Sequence, residues 1–213
     1  MARAFATNQQ INGTTSVGRN QTYFSMAGWL RRGSSGSRQI FGMIESGVHR
    51  TDIIHSTDNI VYYVLSSGIL AYGSVSKNLN GWNHVALTFD GSQSGNSNRL
   101  KGYFNGNNET LAFAGTTIPA TTSNNSAIET FRINRHQAEN LWGTGDYAEL
   151  GMWQAALTAA EIASLAKGMT CAQVRPQSLV YYTPLVRDIQ DIARGMTLTN
   201  TNSTVANHPR VYA

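Results

Sequence analysis

The chain has 213 residues, 41% of them hydrophobic and only 13% charged. That is enough apolar content for one sandwich-sized core, with about half the usual share of charge. The formal charge is +4, yet Arg31-Arg32 is the only adjacent basic pair, so no basic arm of the nucleic-acid-binding kind is present. A lone cysteine, Cys171, rules out a disulfide framework within the chain. No stretch approaches the roughly 20 apolar residues of a membrane span.

In chain order, residues 22–32 alternate Phe24, Met26, Gly28 and Leu30 with Tyr23, Ser25, Ala27 and Trp29, which predicts a strand apolar on both faces. A turn cluster at 33–37 leads to predicted strands at 39–45, 51–55, 60–65 and 68–75. Residues 81–91, GWNHVALTFDG, put Trp82, His84, Ala86, Thr88 and Asp90 on one face and Asn83, Val85, Leu87 and Phe89 on the other. Strand 99–105 ends in Asn105-Gly106, a strong hairpin signal, and 109–113 is expected to return beside it. A Thr/Ser/Asn loop fills 114–127. Strands follow at 128–134 and at 145–153, the latter with Tyr147, Glu149 and Gly151 opposing Ala148, Leu150 and Met152. One helix is predicted at 158–167, capped by Thr158 with Glu161 three residues on and stopped by Gly168. Residues 178–186 form a strand that Pro184 confines to an edge, and 195–199 form another. The turn spacing predicts an all-β sandwich.

Two segments carry a family resemblance. GWNHVALTFDG followed by LKGYFNGN resembles the hairpin of laminin-G-like, concanavalin A-like jelly rolls, and GDYAELGMWQAALTAAEIASLAKG is similar to their closing strand and short helix. The resemblance runs from about residue 3 to 168. It implies a two-sheet antiparallel jelly roll over 1–170, with one short C-terminal-side helix. Residues 171–213 would complete the sandwich edge or act as a partner-docking arm. Within them, Tyr182-Thr183-Pro184-Leu185 looks like the family's opening segment with Thr in place of Trp. The layout is also similar to laminin-G-like proteins encoded by tailed bacteriophages. That resemblance implies a place in the virion, and the opening residues contain no apolar signal core, so synthesis in a host cytoplasm is expected.

Catalysis is not expected. Hydrolases of this fold need paired carboxylates, alternating along one strand as Glu-x-Asp-x-Glu, and neither that triplet nor a Gly-x-Ser-x-Gly elbow occurs. His84, Trp82 and Trp153 are read as structural, His84 through hydrogen bonds, and Cys171 as inert. No cofactor is expected; the resemblance makes Ca²⁺ the ion to consider, with Asp90 and Asp146 as its candidate ligands. Candidate contacts to a partner or glycan are Arg31, Arg32, Trp142, Tyr181, Tyr182 and Tyr212, with Tyr62 and Tyr72 as further aromatics that a sugar ring would meet. The expected role is non-enzymatic: a capsid decoration or cement protein that binds the major capsid protein or other virion proteins, as a homo-oligomer for which a trimer fits capsid symmetry. The alternative is a carbohydrate-binding, lectin-like adhesin module on a tail or head fibre. Neither nucleic acid nor membrane is an expected partner.

Overall fold

The computed structural model describes residues 2–33, 39–46, 49–56, 58–65, 71–77, 81–123, 129–136, 141–186 and 188–207. In chain order the strands are β1 (Ala2–Phe5), β2 (Gln10–Thr15), β3 (Tyr23–Arg32), β4 (Gln39–Ser46), β5 (His49–Ser56), β6 (Asn59–Leu65), β7 (Ala71–Ser76), β8 (Trp82–Asp90), β9 (Leu100–Phe104), β10 (Asn107–Glu109), β11 (Ala112–Gly115), β12 (Glu129–Ile133), β13 (Arg135–His136), β14 (Leu141–Trp142), β15 (Gly145–Trp153), β16 (Leu179–Thr183), β17 (Leu198–Thr201) and β18 (Thr204–Ala206). A short turn of helix, α1 (Asn96–Arg99), precedes β9, and α2 (Ala159–Ala166) follows β15. The first sheet runs β10-β9-β8-β3-β15-β1-β18, with β16 also on β15; the second runs β11-β7-β6-β5-β4-β12-β2-β17. Every pairing in both is antiparallel. This is the two-sheet sandwich that the sequence predicts. Among the described residues no helix is long and apolar enough to cross a membrane.

Period-2 alternation decides what faces inward. Phe24, Met26 and Leu30 of β3 and Val85, Leu87 and Phe89 of β8 meet Phe41, Ile53, Tyr62 and Phe131 of the second sheet in the main core. The Tyr62 ring crosses the gap between the sheets. Its hydroxyl donates to the Tyr103 carbonyl at 3.2 Å, and a Cβ on Gly102 would stand 2.3 Å from the ring. Gly102 is therefore the space into which Tyr62 fits.

Strand β15 departs from simple alternation. Glu149 has φ 51, and the pairing with β3 shifts between Ala148 and Gly151, a β-bulge. Beyond the bulge the faces exchange. Tyr147, Leu150 and Met152 all reach the main core, whereas Trp153 joins a second core on the outer side of the first sheet. The expected alternation of Tyr147, Glu149 and Gly151 against Ala148, Leu150 and Met152 is thereby corrected. Gly28 lies opposite the bulge, where Leu150 Cδ2 would stand 2.3 Å from its Cβ.

The second core is small and covered by α2. Ile162 and Leu165 pack on Ala27, Ala86, Tyr103 and Trp153, the two alanines letting the helix approach the sheet. Thr158 and Glu161 form the predicted capping box. Trp153 Nε1 donates to the Val174 carbonyl at 2.8 Å, and Arg175 pairs with Glu161 at 2.8 Å, so the chain after α2 is fastened back onto it.

The last forty residues supply strands to both sheets: β16 and β18 to the first, β17 to the second. Strand β16 ends just before Pro184 and pairs with β15 alone, as its proline implies. Asp191 shapes the following loop: its carboxylate accepts from the backbone N–H groups of Tyr182 at 2.9 Å, Ala193 at 3.0 Å and Met196 at 2.9 Å. One local expectation is corrected. Residues 109–113 do not return as one strand; β10 pairs with β9 in the first sheet, and β11 pairs with β7 in the second, because Leu111 crosses over to pack on the main core. The opening strands β1 and β2 had no sequence signal of their own, and their partners lie far along the chain.

Replacing Gly102 by Ala should destabilise the fold by about 1–3 kcal/mol, the cost of overpacking against an aromatic ring that has no room to retreat. Denaturant titration of Gly102→Ala against wild type measures it, and Gly102→Ala combined with Tyr62→Leu should recover part of the loss.

Candidate functional site

The candidate site lies at the end of the first sheet where β3 finishes and β15 begins. Asp146 pairs with Arg31 and Arg31 with Trp82 in the strand registers, so the three stand side by side on the outer face. Arg31 Nε donates to Asp146 Oδ2 at 2.5 Å, and a second guanidinium nitrogen completes the ion pair. The guanidinium carbon lies 5.5 Å from the centre of the Trp82 ring. Arg31 is 43% exposed, whereas Asp146 is 8% exposed. A cleft of about 640 Å³ opens here, lined by Arg31, Arg32, Asp146, Phe5, Gly81 and Thr144 among others. One row further in, Trp29 meets His84 edge-on at 5.4 Å.

Asn134 holds this end together. It is fully buried and left-handed, with φ 71. Its amide donates to the carbonyls of Gln9 at 2.9 Å and Gly143 at 3.0 Å, and its carbonyl accepts from the Tyr147 hydroxyl at 3.1 Å. One side chain thus joins the β1–β2 turn, the β13–β14 hairpin and the floor of β15. That hairpin carries a second arginine–tryptophan pair, Arg135 over Trp142 at 4.7 Å, and Trp142 is two residues from the cleft-lining Thr144.

Of the residues singled out in the sequence, Arg31, Arg32 and Asp146 converge on this cleft, and Trp142 sits on the adjoining hairpin. Asp90 does not join them. It pairs with Tyr23, at the far end of β3 from Arg31. Eight residues of strand separate the two aspartates, about 26 Å, so one ion does not bind both. Asp90 accepts from the Ser92 backbone and hydroxyl and from Gln93. Among the described residues no three His, Cys, Asp or Glu side chains gather as a metal site.

Tyr181 and Tyr182 are corrected as surface contacts. Tyr181 is fully buried against Phe131, with ring centres 4.3 Å apart. Tyr182 is 3% exposed and donates to the Glu149 carboxylate at 2.5 Å; burial and that carboxylate push its phenol pKa up. Tyr62 belongs to the core, and Tyr72 stacks beside Tyr63 with ring centres 5.1 Å apart. Tyr212 lies outside the described residues. Cys171 is buried, and burial pushes its thiol pKa well up. Neither Asn134 nor Arg135 stands out in the sequence. Both depend on which strands meet, and the sole local hint was Asn134 standing at a strand end, where asparagine tolerates positive φ.

His84 is structural in a different way from that expected. Its backbone is bonded to Asn105, the N–H donating to Oδ1 at 2.9 Å and the carbonyl accepting from the Asn105 N–H at 2.8 Å; its imidazole Nδ1 has no hydrogen-bond partner among the described residues. Burial lowers its pKa to about 3. His55 is lowered to about 4, first by burial and then by the charge of Arg32. Both rings fold neutral, while in the unfolded chain they take up a proton near pH 6.5. Stability is therefore complete above that pH and falls as pH drops from about 6.5 towards 3–4. One such histidine costs about 2 kcal/mol by pH 5, or about 4–8 °C in Tm at this chain length. Thermal melts from pH 7 to 5 should show this decline, and His84→Gln should flatten it.

Comparison with protein-family models matches residues 5–163 to the concanavalin A-like lectin/glucanases superfamily, Laminin_G_3. Sequence comparison with curated proteins finds no match. Among solved structures, a putative carbohydrate-binding protein from Bacteroides ovatus is similar over 96% of this chain and 61% of its own, at 19% identity and TM-score 0.64. The CBM40 of the Ruminococcus gnavus IT-sialidase, solved with α2,3-sialyllactose, is similar over 76% of this chain and 96% of its own, at 11% identity and TM-score 0.54. The enzymatically active domain of tailspike protein 2 of bacteriophage CBA120 is similar over 82% of this chain and 28% of that one, at 12% identity and TM-score 0.55. The chain thus spans less than two thirds of the Bacteroides protein. At these identities the structures share the fold, and the family match covers most of the sequence: the chain belongs to the concanavalin A-like lectin/glucanase superfamily, with the laminin-G type of jelly roll.

Proposed function

We propose that this chain is a carbohydrate-binding, lectin-like module of the adhesin kind, and that it binds glycan at the Arg31–Asp146 cleft. The carrying observation is an ion pair that opens onto the cleft with an indole beside its guanidinium, Trp82 flanking the cleft next to the lining Gly81. A sugar ring has an apolar C–H face and a belt of hydroxyls. The Trp82 face takes the first through dispersion, and the carboxylate and guanidinium supply acceptor and donors for the second. Trp142 with Arg135 extends the same chemistry along the rim. Support also comes from the similarity to the Bacteroides carbohydrate-binding protein and to the sialyllactose-bound CBM40. The tailspike likeness is in keeping with a place on a phage fibre. Capsid decoration rests on the family resemblance alone and ranks second. The mode of action in this reading is binding; in its support, Arg31 holds the carboxylate of Asp146, and no second acid is among the described residues that line the cleft.

Screening the chain on a glycan array should give hits that weaken about tenfold or more in Trp82→Ala and Arg31→Ala, the loss typical of a central contact. Tyr23→Ala, at the other end of β3, should leave them unchanged. An array without hits, or undiminished binding by Trp82→Ala, would sink this reading. Release of a shortened sugar from any bound glycan would show catalysis instead.

A further inference from the structure

The outer face of the first sheet carries a second cleft, at the end remote from the rim. Its volume is about 360 Å³, within the range of small-ligand sites. Thr88 of β8 and Tyr103 of β9 form the floor. One wall is the loop after β8 with α1; the other is the segment that enters α2.

Both walls are set in advance by hydrogen bonds. Asp90 fixes Ser92 and Gln93. Arg99 donates to the Gln93 carbonyl at 2.7 Å and to the Ile118 carbonyl at 2.6 Å, and the Ile118 N–H donates to Asn96 at 2.9 Å. Opposite, Ser25 accepts from the Leu157 N–H at 2.9 Å and donates to the Ala155 carbonyl at 2.7 Å. Such walls need little ordering when a ligand arrives.

The chemistry inside is polar and favours donors. Lys101 is exposed and makes no hydrogen bond or ion pair among the described residues; it acts on Asp90 only at longer range. Asn108 stands beside it, exposed, with its amide uncommitted in the same sense. Asp90, by contrast, already accepts three bonds from its own loop. With Arg99 and Lys101 against one spent carboxylate, the cleft offers cation and amide donors, and its one aromatic ring lies in the floor.

We propose that this cleft binds a sugar acid, a hydroxylated ring bearing one carboxylate. Lys101 takes the carboxylate and Asn108 the hydroxyls; the Gln93 and Asn98 amide nitrogens already donate to Asp90 at 3.1 Å and to the Ser94 carbonyl at 2.9 Å, so these two meet hydroxyls with their carbonyl oxygens as acceptors. The site is independent of the rim cleft and stands or falls separately from it. The test is amide NMR of the whole chain titrated with galacturonate, with galactose and with acetate. Galacturonate should shift the amides of residues 88–108 and 156–159, and Lys101→Met should weaken that response about tenfold, the loss of one charge-assisted contact. Trp82→Ala should leave it intact. Equal shifts with galactose would overturn the role of the carboxylate, and equal shifts with acetate would overturn the sugar. Silence in this region with all three would remove the site, whatever happens at the rim.

Discussion

One residue in the left-handed region, Glu149, decides how the most connected strand of the fold is used. Without the bulge, β15 would send Tyr147 and Met152 to opposite sides of the sheet, since five residues separate them. With it, both enter the main core and Trp153 is delivered to the other face. The edge of β15 is divided at the same point, β1 pairing before it and β16 after it. Neighbours on three sides accept the bulge: Gly28 leaves room for Leu150, the Glu149 N–H donates to the Pro184 carbonyl at 3.3 Å, and Tyr182 holds the carboxylate.

The position of the rim cleft follows from this arrangement. Asp146 lies ahead of the bulge, where β15 is still in register with Arg31 and Trp82. Trp153 lies beyond it and is spent on packing and on the Val174 carbonyl. The strand therefore gives its first half to the surface site and its second half to the helix that closes the sandwich. Asn134 fixes the other walls of the cleft by a network in which Gln9, Gly143 and Tyr147 all bond to its one side chain, and such a network holds geometry better than separate contacts do.

Much of the sandwich was legible because its signals are local. Alternation in β3 and β8, the Asn105-Gly106 turn and the Thr158–Glu161 cap each lie within a few residues and act through backbone geometry. What escaped depends on distant pairing. Strands β1, β2 and β18 are short, and their identity comes from partners far away in sequence. The bulge at Glu149 escaped because an acidic residue at positive φ leaves no mark in the hydrophobic pattern. Tyr181 is buried because β16 turns it towards Phe131 in the main core, and Tyr182 because it joins the second core beside the loop that Asp191 shapes; both depend on pairings that are invisible before the chain is folded. Arg31, Arg32 and Asp146 were legible as charges at strand ends, but their convergence required the register.

Strand β3 links the two clefts as a stiff spacer, about 26 Å between the rows that carry Asp90 and Asp146. Its rows are paired on both sides, by β8 and β15, so the interval is fixed. A free monosaccharide is indifferent to such a ruler. Were both proposed clefts to take sugars, a polymer would not be: once one unit was seated, a second at the matching interval would rebind at high effective concentration. The molecule would then select for the repeat length of a polysaccharide, and hold a dense surface far longer than either cleft alone holds a single sugar.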